Sequence, residues 1–155
     1  PLKSRDYIVG YAIPFFPVVF VQAIICYAVS LVFKLEINLN LLLAIVAIIP
    51  SSILFIALGV VFGSVLNTKQ VGGICGALLT NLTAWLSGIW FDLSLVGGWF
   101  EKIASFLPFV HAVNLQRNII AGNFFDCILP FIVVMCYAVI LSLLAVWLFL
   151  RQMKK

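Results

Sequence analysis

Charged residues are scarce in this sequence. Of its 155 residues, nine are basic, five are acidic and one is histidine. A soluble domain carries about one quarter charged residues, and so few charges cannot supply the polar surface that a water-facing fold of this length needs. Groups that carry chemistry are scarce too. There is no H-E-x-x-H, no P-loop, no G-x-S-x-G and no pair of carboxylates inside an apolar run. His111 is the only histidine, and the four cysteines (Cys26, Cys75, Cys127 and Cys136) lack C-x-x-C spacing. They read as small buried hydrophobes, with no metal site. Catalytic residues are therefore expected to be absent. No ionisable side chain lies deep in an apolar run, which argues against proton relays and voltage sensing. The net charge of +4 rests on scattered residues near the two ends, a pattern of membrane topology and not of nucleic-acid binding.

Apolar residues are abundant, at 65% of the chain, with a mean hydropathy of +1.27. About 20 apolar residues cross the roughly 30 Å hydrocarbon core of a bilayer. Four runs reach that length, at about residues 8–33, 41–66, 71–91 and 128–150. Pro14 and Pro17 fall in the first turns of the first run and predict a kinked start. Pro50-Ser51-Ser52 interrupts the second, where serine hydroxyls can serve the backbone groups that proline frees. Asn67-Thr68-Lys69-Gln70 is a polar turn, and Arg151 to Lys155 closes the fourth run. The expected fold is an all-α polytopic membrane protein of about four transmembrane helices.

Between the third and fourth runs lies a different stretch, residues 92–126. It mixes Asp92, Glu101, Lys102, His111, Arg117 and Asp126 with Trp99, Phe100, Phe106 and Phe109. Pro108 divides it into two pieces too short to span, so a short extracellular re-entrant helix pair at the interface is expected. Trp90 and Trp99 suit the headgroup belt. Four spans place both ends and the Asn67–Gln70 turn on one side. That side holds Lys3, Arg5, Lys69, Arg151, Lys154 and Lys155, against Lys34, Lys102 and Arg117 on the other. The basic residues thus make the side of both ends cytoplasmic.

Small and hydroxylated residues recur at helical spacing. Gly59 and Gly63 form one G-x-x-x-G step, and Gly72 and Gly76 form a second. Such steps let helices approach closely, either within one subunit or at a sliding or subunit interface. Thr80, Thr83 and Ser87 share one helix face, which either lines a solute path or bonds a neighbouring helix. Asn81-Leu82-Thr83 matches a glycosylation sequon but lies inside a span.

Ser87-Gly88-Ile89-Trp90-Phe91, then Leu107-Pro108-Phe109-Val110-His111-Ala112, then Ala121-Gly122-Asn123-Phe124 resemble, in that order, the C-terminal part of ABC-2 type transporter permeases. Pro1-Leu2-Lys3-Ser4-Arg5 running into Tyr7-Ile8-Val9-Gly10 is similar to the family's segment between its second and third spans. The polar turn at Asn67–Gln70 fits its cytoplasmic turn between the fourth and fifth. Asp92 stands where the family more often has proline.

The resemblance covers essentially the whole chain and implies the following. The chain, which starts at Pro1 with no signal-peptide pattern, would be a piece holding the third to sixth spans of a six-span subunit in a bacterial plasma membrane. Lys3, Ser4, Arg5, Asp6 and Tyr7 would form the coupling segment, residues 1–7, seated on a separate ATP-binding cassette ATPase that binds ATP and magnesium. A second permease subunit, identical or different, would pair with it. Thr80, Thr83 and Ser87 would line the path, and Glu101, Lys102, His111 and Arg117 would form an outer gate. The substrate would be a drug, antibiotic, peptide, lipid or glycan moved outward. A channel or carrier without an ATPase, or a membrane assembly protein, is the alternative.

Overall fold

The computed structural model describes Asp6, Gly10 and residues 13–33 and 38–153. Among them there is no strand, and every regular element is helical. The elements are α1 (Phe15–Val32), α2 (Leu39–Val46), α3 (Ile48–Val65), α4 (Thr68–Gly73), a π-helical segment (Ile74–Leu79), α5 (Thr80–Leu86), α6 (Leu93–Val96), α7 (Gly98–Phe106), α8 (Pro108–Ala121), a 3₁₀ turn (Phe125–Cys127) and α9 (Ile128–Met153). Three helical stretches are long and apolar enough to cross a membrane. They are Phe15–Val32, Leu39–Val65 and Phe125–Gln152, of 18, 27 and 28 residues.

The second stretch bends, but at Ala47 and not at the Pro50-Ser51-Ser52 step. Proline clashes with the carbonyl four residues before it and offers no N–H to that carbonyl. For Pro50 that carbonyl belongs to Val46, so the disturbance falls one turn upstream of the ring. The two serines then behave differently. Ser52 Oγ donates to the Ile48 carbonyl at 2.9 Å, while Ser51 Oγ is buried with no partner.

The third run is also segmented. Asn67 and Gln70 close a reciprocal capping box that starts α4, as their spacing favours. The helix then widens into the π segment, where Thr80 Oγ1 donates to the Cys75 carbonyl at 3.0 Å. It ends at Leu86, so residues 87–91 are a turn and not the end of a span. Gly88, at φ +69°, takes a conformation that side chains with a Cβ resist, and the chain reverses there.

Helix α8 organises the interior. Phe109, Ala112, Leu115 and Ile119 are buried along one face of it, at the three- and four-residue steps of a helix stripe. Ala112 packs with Leu54, Val134 and Ala138, joining α3 and α9. Phe109 packs with Leu86, Leu93 and Ala104. Leu115 and Ile119 pack with Ala44 of α2. Phe55 and Phe109 stack at 6.0 Å between ring centres. Tyr27 Oη of α1 donates to Gln116 Oε1 at 3.2 Å, fixing the first span against the same helix. None of the four cysteines is fully buried within the chain, and Cys26 and Cys136 lie on its surface. That departs from the buried expectation, because α1 and α9 each present a face away from the other helices.

A polar cavity as the candidate functional site

Pro108 begins α8, where a missing N–H costs nothing and the fixed φ suits a first turn. Leu107, extended at φ −81° and ψ 152°, reverses the chain between α7 and α8. The two helices form a hairpin that runs back along the long helices. Tyr137 Oη of α9 donates to the Phe106 carbonyl at the hairpin tip, at 3.0 Å. At about 1.5 Å of rise per residue, Tyr137 lies roughly 14 Å along α9 from its first residue, Ile128. The tip therefore packs beside the interior of α9 and not beside its first turn.

A cavity of about 500 Å³ lies along this hairpin. Its walls come from the turn after α5 (Ser87, Gly88, Phe91), from Asp92 and Ser94, from α7 (Glu101, Ser105) and from α8 (Val110, Asn114, Arg117). The last three recur at four- and three-residue steps, so they form a second face of α8 beside the buried apolar one. Arg117 Nη2 donates to the Gly88 carbonyl at 3.1 Å and ties α8 to the reversal after α5. Asp92 Oδ1 accepts from the Ser94 backbone N–H at 3.1 Å and caps α6. That bond holds the Asp92 carboxyl below its ordinary value, helped by the Ser94 hydroxyl, opposed by burial, and helped least by the charge of Arg117. Two larger clefts are lined almost wholly by apolar side chains. One lies between α1 and α3, at about 610 Å³, and the other lies against α8 and α9, at about 600 Å³. Neither offers the convergent polar groups that orient a ligand.

The described residues thus form a bundle of long apolar helices with a broken second span and a short helical hairpin before the last helix. The model of the ABC-2 type transporter family matches residues 1–121, from before the first span through the end of α8. The chain belongs to the ABC-2 type transporter family. It is a multi-pass membrane protein, the membrane component of an ABC transporter, and that membership implies association with an ABC ATPase. No curated protein and no solved structure matched it.

Within this permease, the residues singled out from sequence are placed as follows. Glu101 and Arg117 face the same cavity. Lys102 and His111 do not. Lys102 Nζ sits over the Trp99 ring at 5.3 Å, and His111 Nε2 lies 2.8 Å from the Ser105 carbonyl. Lys102, one residue on from Glu101, is turned about 100° from it around α7 and does not line the cavity. Ser87 lines the cavity and is buried, with Oγ donating to the Ala84 carbonyl at 2.9 Å. Thr83 Oγ1 is buried without a partner, and Thr80 bonds only its own helix. Asn81 Nδ2 is likewise engaged within the helix, donating to the Ala77 carbonyl at 2.7 Å.

Among the described residues, no atom beyond their own helix backbone and chain neighbours lies within 4 Å of where a Cβ would stand on Gly59, Gly63, Gly72 or Gly76. Of the coupling segment, Asp6 is helical and exposed, while Lys3, Ser4, Arg5 and Tyr7 lie outside the described residues. Asp92, Ser105 and Asn114 are cavity residues that the sequence reading left out of the site. The four- and three-residue spacing of Val110, Asn114 and Arg117 is a signal that could have found Asn114.

Proposed function

We propose that this chain is the permease part of an ATP-driven exporter. The observation that carries this is the family match across residues 1–121. ATP and magnesium then bind on the partner ATPase, and this chain does no bond chemistry. Closure of the ATPase moves the segment Lys3–Tyr7, the spans tilt, and a path opens on the far side between this subunit and a second permease. Reversing a strongly biased two-state equilibrium takes about 5 kcal/mol of differential free energy. The docking contacts must deliver it. The face carrying Thr80, Thr83 and Ser87 lines the path.

At the outer side, the gate is carried by Glu101 and Arg117, which line one cavity, and not by Lys102 or His111. Arg117 bonds the turn that follows α5, so any tilt of α5 is passed to α8. The membrane is a bacterial plasma membrane with both ends of this chain inside, as the basic residues favour. Charge reversal at Arg5 tests the coupling. Arg5→Glu is expected to leave assembly with the ATPase intact in pull-down but to abolish transport-linked hydrolysis. Unchanged linked hydrolysis would contradict the assignment.

A further inference from the structure

Glu101 and Arg117 carry opposite charges into one cavity and form no ion pair, and no ion pair engages either of them among the described residues. Arg117 is held back by its bond to the Gly88 carbonyl. That bond uses one of the five donors of a guanidinium. The Glu101 carboxylate, the Ser105 hydroxyl and the Asn114 amide make no hydrogen bond among the described residues. Asp92 adds a second carboxylate, fixed in place by Ser94. The cavity wall therefore carries acceptor-only carboxylates, a donor-only guanidinium and neutral polar groups.

The charges narrow the ligand. A simple cation would meet the guanidinium, and a simple anion would meet two carboxylates, each a like-charge contact that disfavours binding. A neutral molecule would leave charged groups unmatched in a cleft it had dried, which costs more than a hydrogen bond returns. A molecule with both signs satisfies both sides. The volume of about 500 Å³ falls inside the roughly 300–1,000 Å³ of small-molecule sites. We propose that this cavity binds a small zwitterion, with an ammonium group toward Glu101 and Asp92 and a phosphate or carboxylate on Arg117. Both a free solute and the headgroup of a zwitterionic lipid have this chemistry. The inference does not rest on coupling to an ATPase, since a subunit that fails to couple can still bind.

The test is titration calorimetry on the full-length chain in a maltoside detergent, with phosphoethanolamine, ethanolamine and inorganic phosphate as probes. Phosphoethanolamine is expected to bind at least about tenfold more tightly than either half. Glu101→Gln and Arg117→Gln should each lower that affinity about tenfold, with Lys102→Gln unchanged, because Lys102 lies outside the cavity. Glu101→Lys should invert the preference toward inorganic phosphate, a gain that misfolding cannot produce. Phosphatidylethanolamine nanodiscs that compete with the free probe would identify a headgroup as the source, and nanodiscs that do not compete would identify a solute. Equal affinity for all three probes, or wild-type affinity in both glutamine variants, would overturn the proposal.

Discussion

The Tyr137 hydroxyl donates to the carbonyl of Phe106 at 3.0 Å, and the two rings meet edge to face at 6.4 Å. One residue lies on the last long helix and the other at the tip of the short hairpin. The pair therefore fixes how far the hairpin reaches along α9, and with it the floor beneath the polar cavity.

Removing that hydroxyl tests the tether. Tyr137→Phe keeps the ring contact and deletes one hydrogen bond, so it should cost about 0.5–1.5 kcal/mol, read as a lower unfolding midpoint in detergent. Depth is a separate readout. With Cys26, Cys75, Cys127 and Cys136 replaced by serine, a spin label at Phe106→Cys should be shielded from a water-soluble quencher, and one at Trp99→Cys should be exposed to it. Equal exposure at both positions would contradict the re-entrant placement.

Glycines divide into two groups with opposite expectations. Gly122 ends α8 at φ +79°, and a Cβ there would stand 3.1 Å from Asn40 Nδ2. Gly122→Ala should therefore destabilise the chain by about 1–2 kcal/mol, the cost of a left-handed residue. Gly59 sits in the interior of α3 with nothing within 4 Å. Gly59→Ala should leave the isolated chain as stable or up to about 1 kcal/mol more stable. A loss of activity confined to the assembled transporter would place that face against another subunit. Both are measured by thermal unfolding of the purified chain, with transport assayed beside it.

Acidification should act on Asp92. Its carboxyl is held below the ordinary value of 3.8, chiefly by the Ser94 backbone N–H. A depressed carboxylate contributes stability that is complete above the ordinary value and is lost as pH falls through the lowered one. Asp92→Asn keeps the capping oxygen and removes the titration. The stability difference between wild type and Asp92→Asn should be constant near neutrality and shrink on acidification below pH 3.8. A difference that grows on acidification would contradict the assignment.

The apolar runs announced the long helices because length and composition alone decide whether a segment can cross lipid. Pro108 announced the hairpin because a proline ends one helix and opens the next. What the sequence reading misplaced lay one step from a visible signal. The bend in the second span sits at Ala47, since proline disturbs the turn before it. The third run stops at Leu86 because Gly88 reverses the chain, although apolar residues continue to Phe91. Glu101 and Lys102 are neighbours in sequence yet only Glu101 lines the cavity, because successive helix residues are turned about 100° apart. Arg117 finds the Gly88 carbonyl across 29 positions of chain, a contact no local pattern encodes. The glycine steps were visible, but no partner packs against them among the described residues.

The most direct test of the account is ATP hydrolysis by the full-length protein reconstituted in lipid with its ATP-binding subunit. The account predicts that the two co-purify, that hydrolysis changes when the permease is present, and that Arg5→Glu abolishes that change while the complex stays together. A chain that never co-purifies with an ATPase, or that moves solute at the same rate without ATP, would contradict it.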